Sequence, residues 1–134
     1  NGFVVDIGSG NSKVSWYEGD RLKTIEAPGA KYYQNNMTDE EAYNQLSAAV
    51  DKVPTALREN CFLIGGTPFS LAKNSKGTNR YTLLAAPDSY SAGTDVKLKS
   101  GINLYRAIYD KAQSKQYIFD WDANFTIGFL MSLN

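Results

Sequence analysis

The stretch 3-FVVDIGSGNSKVSWYEGDRL-22 decides how the rest of the chain is read. Residues 3–7 are an apolar, β-branched run, the pattern of a buried strand. A carboxylate, Asp6, sits near its tip, and the run passes into the turn Gly8-Ser9-Gly10. Residues 12–18 read as a second strand, with Val14 and Trp16 on one face. Gly19-Asp20 separates it from a third, residues 21–27, whose inward residues are Leu22 and Ile25. The Gly-Asp order reverses the favoured Asp-Gly hairpin pair. Pro28-Gly29 stops the third strand. The chain therefore opens as a three-stranded antiparallel meander.

The first turn has a chemical logic. Glycines let a backbone turn tightly and leave its N–H groups uncovered. Successive N–H groups form a nest for anionic oxygens. A carboxylate at the strand end can hold Mg²⁺, or its waters, against the same phosphate. Hydroxyls of Ser9 and Ser12 add donors. The competing reading is a plain hairpin with a Gly- and Asn-rich turn. An unpaired carboxylate at the end of a buried strand is costly, and that weighs against it.

Further along, 38-TDEEAYNQLSAAVDKV-53 reads as a helix. Thr38 and Glu41 form a capping box, and acids crowd the first turn. Ala42, Leu46, Ala49, Val50 and Val53 make one apolar stripe. Residues 61–64 are a strand buried on both faces, running into Gly65-Gly66-Thr67 and a short helix over 68–73 capped by Thr67. A strand-to-helix glycine turn suits phosphate contact, and it also suits tight packing. Residues 74–80 read as a loop, 81–86 as a strand, 88–100 as a loop and 101–114 as a helix. A final helix is expected over 121–133, capped by Asp120 or Asp122. Asp120, Trp121 and Asp122 are read as a capped helix with a packed Trp rather than as a paired-carboxylate site. Tyr32-Tyr33 and Tyr90 fall in predicted loops.

The order β-β-β-α-β-α, then β-α-α, is that of an α/β, ribonuclease-H-like half-domain: a mixed sheet with helices on both faces. One domain over 1–134 is expected, with no internal boundary.

Composition narrows the chemistry. The 134 residues are 43% hydrophobic and 21% charged, with zero formal net charge. Acids and bases are interspersed, so no strong nucleic-acid or anionic-membrane surface is expected. Histidine is absent, which removes Ser-His-Asp and Cys-His mechanisms and zinc sites built on His and Cys. The single cysteine, Cys61, reads as a buried, inert thiol. No apolar run approaches the roughly 20 residues of a bilayer span. The abrupt Asn-Gly start suggests a piece of a longer protein. A cytoplasmic setting is the default, with secretion after processing as the alternative.

The segment 4-VVDIGSGNSKV-14 resembles a phosphate loop of the actin/Hsp70/sugar-kinase superfamily. In particular it is similar to the second loop of the exopolyphosphatase and guanosine-pentaphosphate phosphohydrolase (Ppx/GppA) family, which reads roughly V-V-D-I-G-G-G-S-T-E-L. Asp6, Gly8 and Gly10 match. Ser9 stands where Gly is usual, Asn11 where Ser is, Ser12 where Thr is, and Lys13 aligns with a Glu. The segment 65-GGTPFSLA-72 looks like the family's later G-G-T and short helix. The resemblance covers residues 3–73. It implies an actin-like half-domain that binds polyphosphate, a nucleotide or another phosphate-bearing small molecule with Mg²⁺, for hydrolysis of a terminal phosphoanhydride in the full protein. Asp6 would be the catalytic and metal-holding residue. Gly8, Ser9, Gly10, Asn11, Ser12 and Lys13 would bind phosphate, and Gly65, Gly66 and Thr67 would border the cleft. Catalysis would need a second actin-like half-domain, in cis or in trans. Type III pantothenate kinases (D-I-G-N-T-x-x-K) and plasmid-segregation actins share the same hairpin logic, and a non-catalytic binding or assembly module would keep the fold. Lys13 fits the kinase pattern better than the phosphohydrolase one.

Overall fold

The computed structural model describes residues 1–73 and 80–122. Strands β1 (Gly2–Ile7), β2 (Asn11–Glu18) and β3 (Arg21–Pro28) form the antiparallel meander. The β2–β3 hairpin closes over Gly19-Asp20, with Glu18 opposite Arg21. Gly19 has φ +64° and Asp20 does not share the left-handed region. A two-residue turn that needs positive φ only at its first position is type II′ and takes Gly there, which explains the Gly-Asp order.

Helix α1 (Asp39–Val50) starts on the full capping box, with Thr38 Oγ1 accepting from the Glu41 amide and Glu41 Oε1 from the Thr38 amide. It buries Ala42, Leu46, Ala49 and Val50. Each large apolar side chain in that stripe is worth about 1.5–3 kcal/mol and the cap about 1 kcal/mol, so packing dominates. Strand β4 (Asn60–Gly65), helix α2 (Gly66–Ala72), strand β5 (Tyr81–Leu83), helix α3 (Val96–Ala112) and strand β6 (Gln116–Asp120) follow.

The six strands lie in the order β3-β2-β1-β4-β6-β5. β4 pairs parallel to β1, and β6 parallel to β4, while β5 returns antiparallel on β6. The fold is thus the mixed α/β arrangement expected. All three described helices bury their apolar residues in one cluster with Phe3, Val5, Ile7, Val14, Leu63 and Phe119 on one sheet face. The other face carries Val4, Phe62, Ile64 and Ile118. Helices were expected on both faces; the three described α-helices lie on one, and the helix expected over 121–133 lies outside the described residues from residue 123 onward. No described helix is long and apolar enough to cross a membrane.

Several element readings need correction. α3 starts at Val96, with the Asp95 side chain accepting from the Leu98 amide, and not at Gly101. Gly101 lies inside the helix, and it is glycine there because a Cβ would stand 2.0 Å from Thr67 Oγ1. A glycine read as a boundary is in fact a helix-crossing contact. Thr67 is correspondingly not a cap: Gly65 occupies that position, no side chain caps α2, and Thr67 is buried in its first turn. Residues 116–120, left unassigned by the sequence pattern, form the third parallel strand. Cys61 is buried and free, as expected, and burial pushes its thiol pKa well up.

Candidate functional site

The parallel pairing of β1 and β4 places Ile7 beside Gly65. Both glycine turns therefore emerge at the same edge of the sheet, the carboxyl ends of parallel strands, where open α/β sheets bind ligands.

The first turn is tight. The Gly8 amide donates to the Asn11 carbonyl at 3.1 Å. A Cβ at Gly8 would lie 2.8 Å from that same oxygen, so a glycine is required. The carbonyls of Gly8 and Ser9 accept from the amides of Ala30 (2.8 Å) and Lys31 (3.0 Å). Among the described residues, the amides of Ser9 and Gly10 donate to nothing. Gly10 is exposed, and a Cβ there would meet no atom within 4 Å. Neither packing nor a left-handed φ accounts for that glycine.

Asp6 alternates with Val5 and Ile7, so its side chain faces away from the helices, on the side of Val4. It is partly buried and accepts no hydrogen bond from a described residue. Burial raises its pKa above the ordinary 3.8, and Lys13, directly across on β2, partly offsets the rise. Gly65 wraps the carboxylate from the β4 side. It has φ +103°, and a Cβ there would stand 2.5 Å from the Ile7 carbonyl oxygen and 2.7 Å from Asp6 Oδ1.

The structure brings Asp6, the Gly8–Asn11 turn, Lys13 and Gly65 together. It moves other candidates away. Ser12 faces the helix-bearing side with its hydroxyl fully buried and without a partner among the described residues, so it is no surface donor. The Thr67 side chain is packed against Gly101 of α3. Gly66 and Thr67 line a separate hollow of about 250 Å³ with Phe69, Ser70, Asp95, Lys97 and Leu98, which shares no residue with the loop. No group of three metal-ligating side chains occurs among the described residues.

Two features escaped the sequence. One is the Gly29–Lys31 turn that holds the loop carbonyls; its only signal was Pro28-Gly29, read as a strand stop. The other is the end of β6, where Asp120 is buried and takes Arg80 through Nε (3.0 and 3.1 Å) and through the second guanidinium nitrogen (3.0 Å). Trp121 packs edge-on against Phe69 and Phe119, and its indole N–H donates to Thr82 Oγ1 at 2.7 Å. The packed Trp expected there is present, Asp120 ends a strand and pairs with Arg80, and the helix it was expected to cap lies outside the described residues from residue 123 onward.

No family model and no curated protein matches the sequence. Solved structures do match. The crystal structure of the Aquifex aeolicus member of the Ppx/GppA family superposes with a TM-score of 0.66 at 18% identity, over 98% of this chain and 55% of that one. The type II variant of the A. aeolicus Ppx/GppA phosphatase, and a further structure of the A. aeolicus enzyme, each give 0.61 at 18% identity over 97% of this chain and 56% of theirs. The chain thus spans little more than half the length of the structures it matches. Over nearly its whole length it carries the fold of the Ppx/GppA structures, the family that 4-VVDIGSGNSKV-14 resembles.

Proposed function

We propose that the chain is the phosphate-binding half of a Ppx/GppA-like phosphohydrolase. The observation that carries the reading is the pair of unused amides at Ser9 and Gly10, beside a glycine that the fold does not require. Two adjacent N–H groups with no described acceptor suit the oxygens of a phosphoryl group. Lys13 adds positive charge on the same strand pair. The ligand class is polyphosphate or a nucleotide.

Mg²⁺ fits the residues present. It keeps most of its waters and needs only one or two carboxylates plus the phosphates themselves. Asp6, partly buried and free of hydrogen bonds from described residues, is the group that would hold it. When bound, the ion would neutralise phosphate charge and favour the ionised carboxylate. In the full enzyme the loop amides would hold the transferred oxygens, Asp6 would orient the attacking water, and positioning with electrostatic stabilisation would supply most of the rate. The other wall of the cleft would come from a second actin-like half-domain, since the chain spans 55% of its matched structure.

One residue favours a non-catalytic binding module instead. Lys13 stands opposite Asp6 where the resembled family has a Glu, so a second carboxylate for proton transfer is missing there. An amide titration with tripolyphosphate and Mg²⁺ tests binding. Saturable shifts confined to Gly8, Ser9, Gly10 and their neighbours are expected, and no shift at millimolar ligand would end the phosphate reading. Hydrolysis by a longer chain containing both halves then separates enzyme from binding module.

A further inference from the structure

We infer that the turn Gly29–Lys31 positions the loop, fixing the direction in which its free amides face, with Gly29 and Tyr32 as the positioning residues. In a trans peptide the C=O and the following N–H point opposite ways. The Gly8 carbonyl is held by the Ala30 amide, so the Ser9 N–H points away from residues 29–31. The Ser9 carbonyl is held by the Lys31 amide, so the Gly10 N–H does the same. Two hydrogen bonds behind the loop thereby aim two donors out of its front. Such fixed donors lose nothing to reorientation when an anion arrives.

The turn itself is anchored. The Tyr32 amide closes it on the Gly29 carbonyl at 3.1 Å. Buried Tyr32 donates its hydroxyl to Asp39 Oδ1 (2.5 Å) at the start of α1 and accepts from Asn103 Nδ2 (3.1 Å) on α3. The loop is thus tied to both large helices through one side chain. Gly29 is the contact point: a Cβ there would stand 2.5 Å from Asn11 N, 2.6 Å from Gly10 C and 2.6 Å from Ser9 O, all backbone atoms. Its φ lies outside the left-handed region, so alanine is excluded by contact alone.

The ligand part of this inference rests on the phosphate reading above, and the test keeps the two apart. Amide shifts and hydrogen exchange are measured on the full chain as wild type, Gly29→Ala and Tyr32→Phe, with and without tripolyphosphate and Mg²⁺, where all are folded. Without ligand, Gly29→Ala is expected to speed exchange at Ala30 and Lys31 about tenfold or more and to shift Ser9 and Gly10, leaving Ala49 in α1 protected. Tripolyphosphate affinity is expected to fall about tenfold, as a small misplacement of fixed donors costs. Tyr32→Phe should move the same signals about two- to threefold, and it carries the test if Gly29→Ala does not fold. Unchanged loop signals in the ligand-free variants overturn the inference. If wild type ignores tripolyphosphate, the phosphate reading fails while the ligand-free comparison still decides this one.

Discussion

The ends of β1 and β6 begin alike and finish differently. Each is an apolar parallel strand with an aspartate at its carboxyl end, on the same sheet edge. At β6 the buried Asp120 carboxylate and the Trp121 indole N–H are both paired. Asp120 is closed by Arg80 on two sides, accepts the Asp122 amide at 2.9 Å, and sits beside a Trp121 whose N–H is also bonded. At β1 bonding capacity is left over: two free amides, a carboxylate without a hydrogen bond, and a buried Ser12 hydroxyl without a partner among the described residues. Buried or half-buried polar groups left unpaired cost stability. Among the described residues one end is bonded internally and the other is not.

Substitutions can break this contrast, and the largest effect belongs to the finished end. Asp120→Ala removes a fully buried carboxylate and the hydrogen bonds it accepts from Arg80 and the Asp122 amide, and should cost about 3 kcal/mol in a denaturant melt while leaving the loop amide shifts in place. Next come two glycines. Gly65→Ala forces φ +103° on a side chain and drives it into the Ile7 carbonyl, and should cost more than about 2 kcal/mol. Gly10→Ala meets nothing, and should leave stability unchanged or raise it by up to about 1 kcal/mol. The same change should weaken tripolyphosphate binding about tenfold in calorimetry, since it fills the space an anion would use. A Gly10→Ala chain that binds as tightly as wild type would remove the contrast.

The smallest effect is a pH dependence at Asp6. Its pKa in the folded chain lies above the ordinary 3.8 because burial disfavours the charge. At pH below the ordinary carboxyl range both folded and unfolded forms are protonated and the cost is absent. As pH rises through the folded pKa the native state loses stability relative to the unfolded chain, and the loss then stays constant. Asp6→Asn should therefore raise the thermal midpoint near neutrality and not in acid. An equal effect at both ends of the scale would mean that packing, not charge, sets the cost.

Local rules carried the sequence reading far. The meander, the Thr38–Glu41 box and the apolar run at β4 all follow from patterns within a few residues, and all are present. What failed depended on distant partners. Gly101 looked like a helix boundary because nothing nearby signals that Thr67, on another helix, needs its missing Cβ. β6 was passed over because a five-residue strand gains its identity from β4, not from its own periodicity. At the site, Asp6 and the Gly8–Asn11 turn were legible from composition. Ser12 was misread although its signal was present: it shares strand parity with Val14 and Trp16, which turns it under the sheet. Gly29 was visible only as a stop, because its role lies in backbone atoms of another turn.

The eight-residue strand β3 forms one border of the sheet. A border that long offers open N–H and C=O groups to any passing chain, the starting point of sheet-to-sheet aggregation. Arg21, Lys23 and Glu26 are exposed along it and Pro28 ends it, so an approaching strand would meet fixed charges and a missing donor. The opposite border, β5, is only three residues long. Among the described residues both margins thus carry features that oppose strand addition: charges and a proline on one, shortness on the other.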